Sequence, residues 1–302
     1  MSADPLEGNV FISSVSLGDG EDLCIAKLSH ASGSSLEVTT YGAHVTSWKL
    51  PGDKEQLYMT SQWPQGFKKG KGIRGGIPVC WPQFSQSGPL SNHGFLRTSE
   101  AWEVVDASTT EGVPSVTMRI GPTPESRAAP GWEEAEFDVT VRVSLMADSF
   151  RFELEVANNA EVPLVFTGAL HTYFAVPDVK TAVVRGLKGT KFIDKVRDFQ
   201  KFDDAEEAVA FVGEKVDRGY LQTGAVVLAD GTGREIAICK EGWTDSVVWN
   251  IGEAEAPSLA DMGPGEWQRY VCVESGVVDP ETPVTVAPNE SWIGTQTISC
   301  KL

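Results

Sequence analysis

Strict alternation of apolar and polar residues limits the fold of this chain more than any other feature. Phe137, Val139, Val141, Val143 and Leu145 alternate with polar residues. After Ala147-Asp148-Ser149 the pattern resumes at Phe150, Phe152, Leu154 and Val156. Successive side chains of a strand point to opposite faces, so a spacing of two gathers all nine apolar residues on one side. The pattern predicts a β-hairpin with one buried face. Shorter strand-like runs lie at 35–48, 115–120, 164–174, 225–229, 235–240, 246–250, 267–273, 283–286 and 291–301. Asp230-Gly231-Thr232-Gly233 reads as a turn between two of them. Only 203–212 resembles a helix, and it is short. The 302 residues include 30 glycines and 17 prolines, which disfavours long helices, coiled coils and bundles. Many short strands with such punctuation predict an all-β sandwich. No linker or internal repeat divides the chain, so a single domain is expected over 21–302, preceded by an N-terminal extension over 1–20.

Charge narrows the partners. The net charge is −17, which repels nucleic acid and anionic membranes and leaves small anions bindable only where cations are concentrated. No stretch approaches the roughly 20 apolar residues of a membrane span. Residues 1–10 are polar and acidic, unlike a secretory signal. The sequon Asn289-Glu290-Ser291 is therefore read as chance. Five widely spaced cysteines, Cys24, Cys80, Cys239, Cys272 and Cys300, form no C-x-x-C pair. They indicate neither a disulfide framework nor a zinc knuckle, and a reduced, cytoplasmic compartment fits best.

Few segments carry chemistry. Gly70-Lys71-Gly72-Ile73-Arg74-Gly75 matches the dinucleotide fingerprint, but that motif must follow a strand and open a helix. Phe67-Lys68-Lys69 precedes it, and Pro78 and Pro82 follow too closely for a long helix. The segment instead concentrates Lys68, Lys69, Lys71 and Arg74 in an acidic chain: a solvated basic loop, or an anion site with a backbone open to close approach. The four histidines, His30, His44, His93 and His171, show no metal-ligand spacing, so no metal is expected. His30 and His44 read as structural. His93 lies in the polar, aromatic and cationic run Asn92-His93-Gly94-Phe95-Leu96-Arg97, and His171 ends an apolar strand; both could be structural or functional. Glu274 follows Tyr270-Val271-Cys272-Val273. It is either a strand-end acid in water or a partly desolvated carboxylate whose raised pKa suits a general base. No G-x-S-x-G elbow or P-loop is present.

Taken together, these segments resemble the glucose-6-phosphate 1-epimerases, a branch of the aldose 1-epimerase family. The resemblance is carried by Ile73-Arg74-Gly75-Gly76-Ile77-Pro78-Val79-Cys80-Trp81-Pro82-Gln83-Phe84 and His93-Gly94-Phe95-Leu96-Arg97. Tyr41-Gly42-Ala43-His44-Val45, Leu170-His171-Thr172-Tyr173-Phe174 and Val216-Asp217-Arg218-Gly219-Tyr220 support it, as do Val248-Trp249-Asn250 and Tyr270-Val271-Cys272-Val273-Glu274. The matches run in family order from about residue 30 to 300. The resemblance implies a galactose-mutarotase-like β-supersandwich of mostly antiparallel strands. It makes His171 and Glu274 the catalytic pair and Arg74, Arg97 and Asp217 substrate-binding positions. Asn92 stands where many relatives carry Gln, and His93 is expected to line the pocket.

The implied reaction interconverts the α and β anomers of a hexose 6-phosphate, chiefly glucose 6-phosphate. One base at the C1 hydroxyl and one acid at the ring oxygen suffice, so no cofactor is expected. Glu274 is the expected base, and His171, with an ordinary pKa near 6.5, the expected acid. Trp81 is a candidate for stacking on the sugar, and a monomer is expected. Two competing readings share the fold class: a non-catalytic carbohydrate-binding sandwich, and a glycoside hydrolase with Glu274 and Asp217 as paired carboxylates.

Overall fold

In a computed structural model that describes residues 8–301, the long hairpin forms as its alternation requires. The strands Phe137–Leu145 and Ser149–Asn158 pair antiparallel from Phe150 opposite Leu145 to Asn158 opposite Phe137. Their nine apolar side chains are all at most 1% exposed, each burial contributing about 1.5–3 kcal/mol. Most of the segment 1–10, read as lacking a leader, lies outside the described residues.

The hairpin sits within a nine-stranded sheet. Its order is Ala208–Ala210, Val183–Arg185, Val226–Ala229, Glu235–Glu241, Ser291–Lys301, Ser149–Asn158, Phe137–Leu145, Val113–Ile120, Glu103–Thr110. A five-stranded sheet runs in chain order from Asn9–Ser16 to Lys54–Glu55. Its first strand pairs with Asp22–Ser29 along its whole length, from Asn9 opposite Ser29 to Ser16 opposite Asp22. Residues 9–16 of the expected extension are thus the edge strand of this sheet. An eight-stranded sheet carries the site described below, and Leu164–Phe166 pairs with Val284–Val286 as a small ribbon. Every strand ladder among the described residues is antiparallel, as expected for a mutarotase-like supersandwich. Among the described residues no single helical element is longer than four residues.

Aromatic side chains join the sheets. Trp48 of the five-stranded sheet meets Phe150 edge-on at 4.9 Å. Trp81, just beyond the strand Val79–Cys80, packs on Trp132 at 4.9 Å and on Phe137 at 5.1 Å. Trp81 is wholly buried, so the expectation that it stacks on a sugar is wrong: its ring is core.

Two further readings need correction. The segment 203–212 is not a helix but the end of the strand Gln200–Asp203, a short loop and the strand Ala208–Ala210. Val209 and Phe211 are buried at strand spacing, and the Asp204 carboxylate accepts from the Glu206 N–H at 3.1 Å, which turns the loop. The run 164–174 is three strands rather than one, broken at Thr167 and at His171-Thr172. The second break positions the site.

Candidate active site

The eight-stranded sheet brings distant segments of the chain side by side. Its order is Gln200–Asp203, Lys191–Asp194, Val216–Leu221, Asp245–Asn250, Tyr270–Val277, Gly168–Leu170, Val79–Cys80, with Tyr173–Ala175 also paired to Tyr270–Val277. Glu274 lies within Tyr270–Val277, opposite Val247. All eight residues of that strand are buried, and Glu274 is 1% exposed. It is therefore not a strand-end acid in water.

His171 occupies the break between Gly168–Leu170 and Tyr173–Ala175. Buried Thr172 holds that break by donating to Gln296 Oε1 at 3.1 Å, while the His171 N–H donates to the Pro78 carbonyl at 3.0 Å. Released from the ladder, the imidazole stacks on Tyr173 with ring centroids 4.8 Å apart and planes 7° from parallel. Its Nδ1 lies 3.3 Å from Glu274 Oε1. The alignment falls short of a hydrogen bond: His171 Nδ1 and Glu274 Oε2 are both buried without a hydrogen-bond partner among the described residues.

A cavity of about 370 Å³ opens over this pair, within the range typical of small-molecule sites. Arg74, Asn92, His93, Arg97, His171, Asp217 and Glu274 all line it. The fold thus brings together every site residue expected from the sequence. Sequence reasoning missed the roles of Phe84, Tyr173, Lys195, Lys215 and Trp249, which also line it. Tyr173 and Trp249 were at least visible inside motif segments; Lys195 and Lys215 carry no sequence signal. Trp249 meets His171 edge-on at 5.8 Å, so Trp249 and Tyr173 are the aromatic walls in place of Trp81.

The two arginines differ. Arg74 spans Asp261, with its Nε donating at 3.2 Å and its Nη2 3.1 Å away, and its Nη1 donates to Tyr173 Oη at 2.9 Å. Arg97 has no carboxylate partner: Nη2 donates to the Asn92 carbonyl at 2.9 Å, and Nε is buried without a partner among the described residues. The guanidinium lies against Gly72, where a Cβ would stand 3.1 Å from Nη1. Exposed Asn92 thus contributes its carbonyl here and lines the cavity. Gly94 has φ +70°, and a Cβ there would lie 2.2 Å from the Trp81 carbonyl oxygen. Only glycine allows this approach, which places His93 and Arg97 on either side of it. The His93 Nδ1 accepts from the Ser85 N–H at 3.2 Å, leaving its Nε2–H as the donor.

Of the basic loop, Lys69 is held by Glu21 at 2.8 Å and Glu100 at 3.0 Å. Lys68 and Lys71 line a neighbouring cleft with Trp63 and Phe67. Buried His44 donates its Nε2–H to the Gly75 carbonyl, 2.8 Å away, and so supports the loop bearing Arg74; burial lowers its pKa to about 3.

Burial also dominates the electrostatics of the pair. It pushes the Glu274 carboxyl well above its ordinary value, with Lys195 opposing and Asp217 reinforcing the shift. It pushes His171 well below 6.5, helped by Arg74 and Arg97. The ordinary histidine pKa expected from the sequence is therefore overturned: a dry pocket ringed by cations disfavours the imidazolium. The fold also places donor atoms of His171, Cys272 and Glu274 within 4.8 Å of one another, a cluster that the sequence spacing does not reveal. Burial and Glu274 hold the Cys272 thiol protonated, and Arg74, Arg97 and Lys195 surround the pair, so the electrostatics disfavour a dication there.

The aldose 1-epimerase family model matches residues 25–299. A candidate glucose-6-phosphate 1-epimerase of Cenchrus ciliaris is 33% identical over 267 residues, covering 85% of this chain and 79% of that protein. One from Escherichia coli K12 is 33% identical over 249 residues, covering 81% and 80%. The crystal structure of a candidate mutarotase from Salmonella typhimurium superposes with a TM-score of 0.83 at 29% identity, covering 96% and 93% of the two chains. Galactose 1-epimerase from Lactobacillus acidophilus shares the fold, with a TM-score of 0.71 at 13% identity over 98% and 99% of the chains.

Proposed function

The chain belongs to the aldose 1-epimerase family and interconverts hexose anomers; on that footing we propose that its substrate is a hexose 6-phosphate, chiefly glucose 6-phosphate, and that Glu274 and His171 move the protons. Glu274 takes the proton of the C1 hydroxyl as His171 gives one to the ring oxygen. The C1–O5 bond breaks, the aldehyde forms, and rotation about C1–C2 presents its other face. Reclosure reverses both transfers, so each residue ends as it began.

One observation carries the assignment: His171 Nδ1 and Glu274 Oε1 lie 3.3 Å apart on the wall of a cavity, with His171 Nδ1 and Glu274 Oε2 left without a hydrogen-bond partner among the described residues. Burial drives both groups toward their neutral forms. Lys195 opposes this at Glu274, and a phosphate dianion near Arg97 and Arg74 would oppose it at His171. Substrate binding therefore favours the imidazolium at His171, while Lys195 favours the carboxylate at Glu274. Arg97, with donors to spare, is the principal phosphate ligand. Arg74 assists, and Asp217 accepts from a sugar hydroxyl. The family assignment does not favour a non-catalytic binding module or a glycoside hydrolase. Five free cysteines support a reduced, cytoplasmic setting.

Two-dimensional exchange NMR on glucose 6-phosphate, galactose 6-phosphate and glucose tests the reading. Glu274→Gln and His171→Asn should each slow exchange on glucose 6-phosphate by roughly 10²–10⁴-fold while remaining folded by circular dichroism. Wild-type rates in both folded variants would refute the pair.

A further inference from the structure

Lys195 opens the 3-10 turn Lys195–Arg197 after the strand Lys191–Asp194, and its side chain is only 14% exposed. The neighbouring carboxylate, Asp194, is otherwise engaged: it caps the turn through the Val196 N–H at 3.0 Å and holds Arg197 at 2.8 Å. The Lys195 ammonium instead projects into the cavity. It lies over the Phe84 ring, 4.3 Å from its centroid, and 3.7 Å from Asp217 Oδ1, beyond hydrogen-bond distance. A lysine so placed loses hydration and is compensated among the described residues by a long ion pair and an aromatic face, which leaves its ammonium with donors to offer the cavity.

The cavity also holds two carboxylates, Glu274 and Asp217. Like charges desolvated by burial resist ionising together, yet the proposed chemistry needs both, one to take a proton and one to accept from a hydroxyl. We propose that Lys195 is a positioning residue for the reaction: its ammonium, held between the Phe84 ring and Asp217, keeps Asp217 and Glu274 ionised at the same time. This inference rests on the reading of Glu274 as the base. Lys195 is the largest influence lowering the pKa of both carboxyls.

Other charged or titratable groups face the same cavity or the same carboxyls; Lys215 lines it and acts with Lys195 on Asp217, against Asp194. Cys272 lies on the same strand as Glu274. His171 and Tyr173 come from the strand break, and Asp217 from Val216–Leu221. Cys80 comes from Val79–Cys80, and Arg74, His93 and Arg97 from the loops. Lys195 also helps depress His93 and His171. Removing its charge therefore makes the base and the acid more basic together.

The test is the pH profile of kcat/KM on glucose 6-phosphate. Lys195→Met should move both limbs to higher pH, the acidic limb by roughly one unit. The loss is then about tenfold on the acidic side and vanishes on the alkaline side. Lys195→Arg should keep the wild-type limbs. A uniform loss with unmoved limbs, or no loss, overturns the proposal. If Lys195→Met does not fold, Lys195→Gln carries the same test, and failure of both to fold overturns the proposal by making Lys195 structural. Glu274→Gln in the same series separates the two readings. If it keeps the wild-type profile, the assignment of the base has failed. If it abolishes activity while Lys195→Met leaves the limbs in place, only the role of Lys195 has failed.

Discussion

If the substrate is the proposed hexose 6-phosphate, replacing Arg97 with alanine should leave an enzyme that barely distinguishes glucose 6-phosphate from glucose. The chain carries a net charge of −17, so a phosphate dianion is repelled until local cations take over. Of the two arginines on the cavity wall, Arg74 is neutralised by Asp261. Arg97 spends one donor on the Asn92 carbonyl and has no ion-pair partner among the described residues. A hydrogen bond to a charged group contributes about 1.5–3 kcal/mol, so losing one such contact lowers kcat/KM on glucose 6-phosphate roughly 10–150-fold. Exchange of unphosphorylated glucose should change less than about threefold, since the contact is made to the missing group. Arg97→Lys should recover only part of the loss, because an ammonium lacks the planar fork. Arg74→Ala should act in the same direction and also strand the Asp261 carboxylate near the anion. Lys68→Ala and Lys71→Ala, in the neighbouring cleft, should have small effects that salt removes. The assay is exchange NMR on both sugars at one ionic strength, with circular dichroism on each variant. An equal loss on the two sugars in folded Arg97→Ala would refute the assignment.

Inorganic phosphate should raise the pKa of His171, because a bound dianion offsets the Arg74 and Arg97 charges that now lower it. Imidazole ¹⁵N shifts at fixed pH should move toward the protonated form, and an unchanged titration at saturating phosphate would count against the coupling. His44 is buried neutral with its pKa lowered from 6.5 to about 3, so the unfolded chain takes up a proton that the folded chain refuses. Stability from this group is complete above pH 6.5 and is lost as pH falls toward 3. About 2 kcal/mol should be gone by pH 5. The stability difference between wild type and His44→Gln, measured by urea unfolding, should narrow by that amount from pH 7 to 5; a constant difference would contradict it. Dialysis against a chelator should leave anomer exchange unchanged, since the proposed steps are proton transfers alone. Loss restored by one divalent ion would overturn that expectation.

Alternation alone determined the long hairpin: a period of two at 137–145 and 150–156 has one low-energy solution, a sheet with one buried face. The motif segments likewise carried His171, Glu274, Arg74, Asn92, His93, Arg97 and Asp217, because residue type and order survive in the chain. What each residue experiences was decided by tertiary structure. Alternation places Glu274 on the same face as Cys272 but does not say that the strand runs on to Val277 and is buried throughout. Nor does it show that the break at Thr172 swings His171 to within 3.3 Å of Glu274. Trp81 sits among motif residues yet packs in the core, because the fold sets Trp132 and Phe137 against its ring. Arg74 and Arg97 are equal as letters. Only folding brings Asp261, 187 positions away, onto one of them and leaves the other with a backbone carbonyl. Lys195 belongs to no motif and acquires a role only because its turn is set against Phe84 and Asp217. A pKa is a property of burial and neighbouring charge, and both come from segments far apart in the chain.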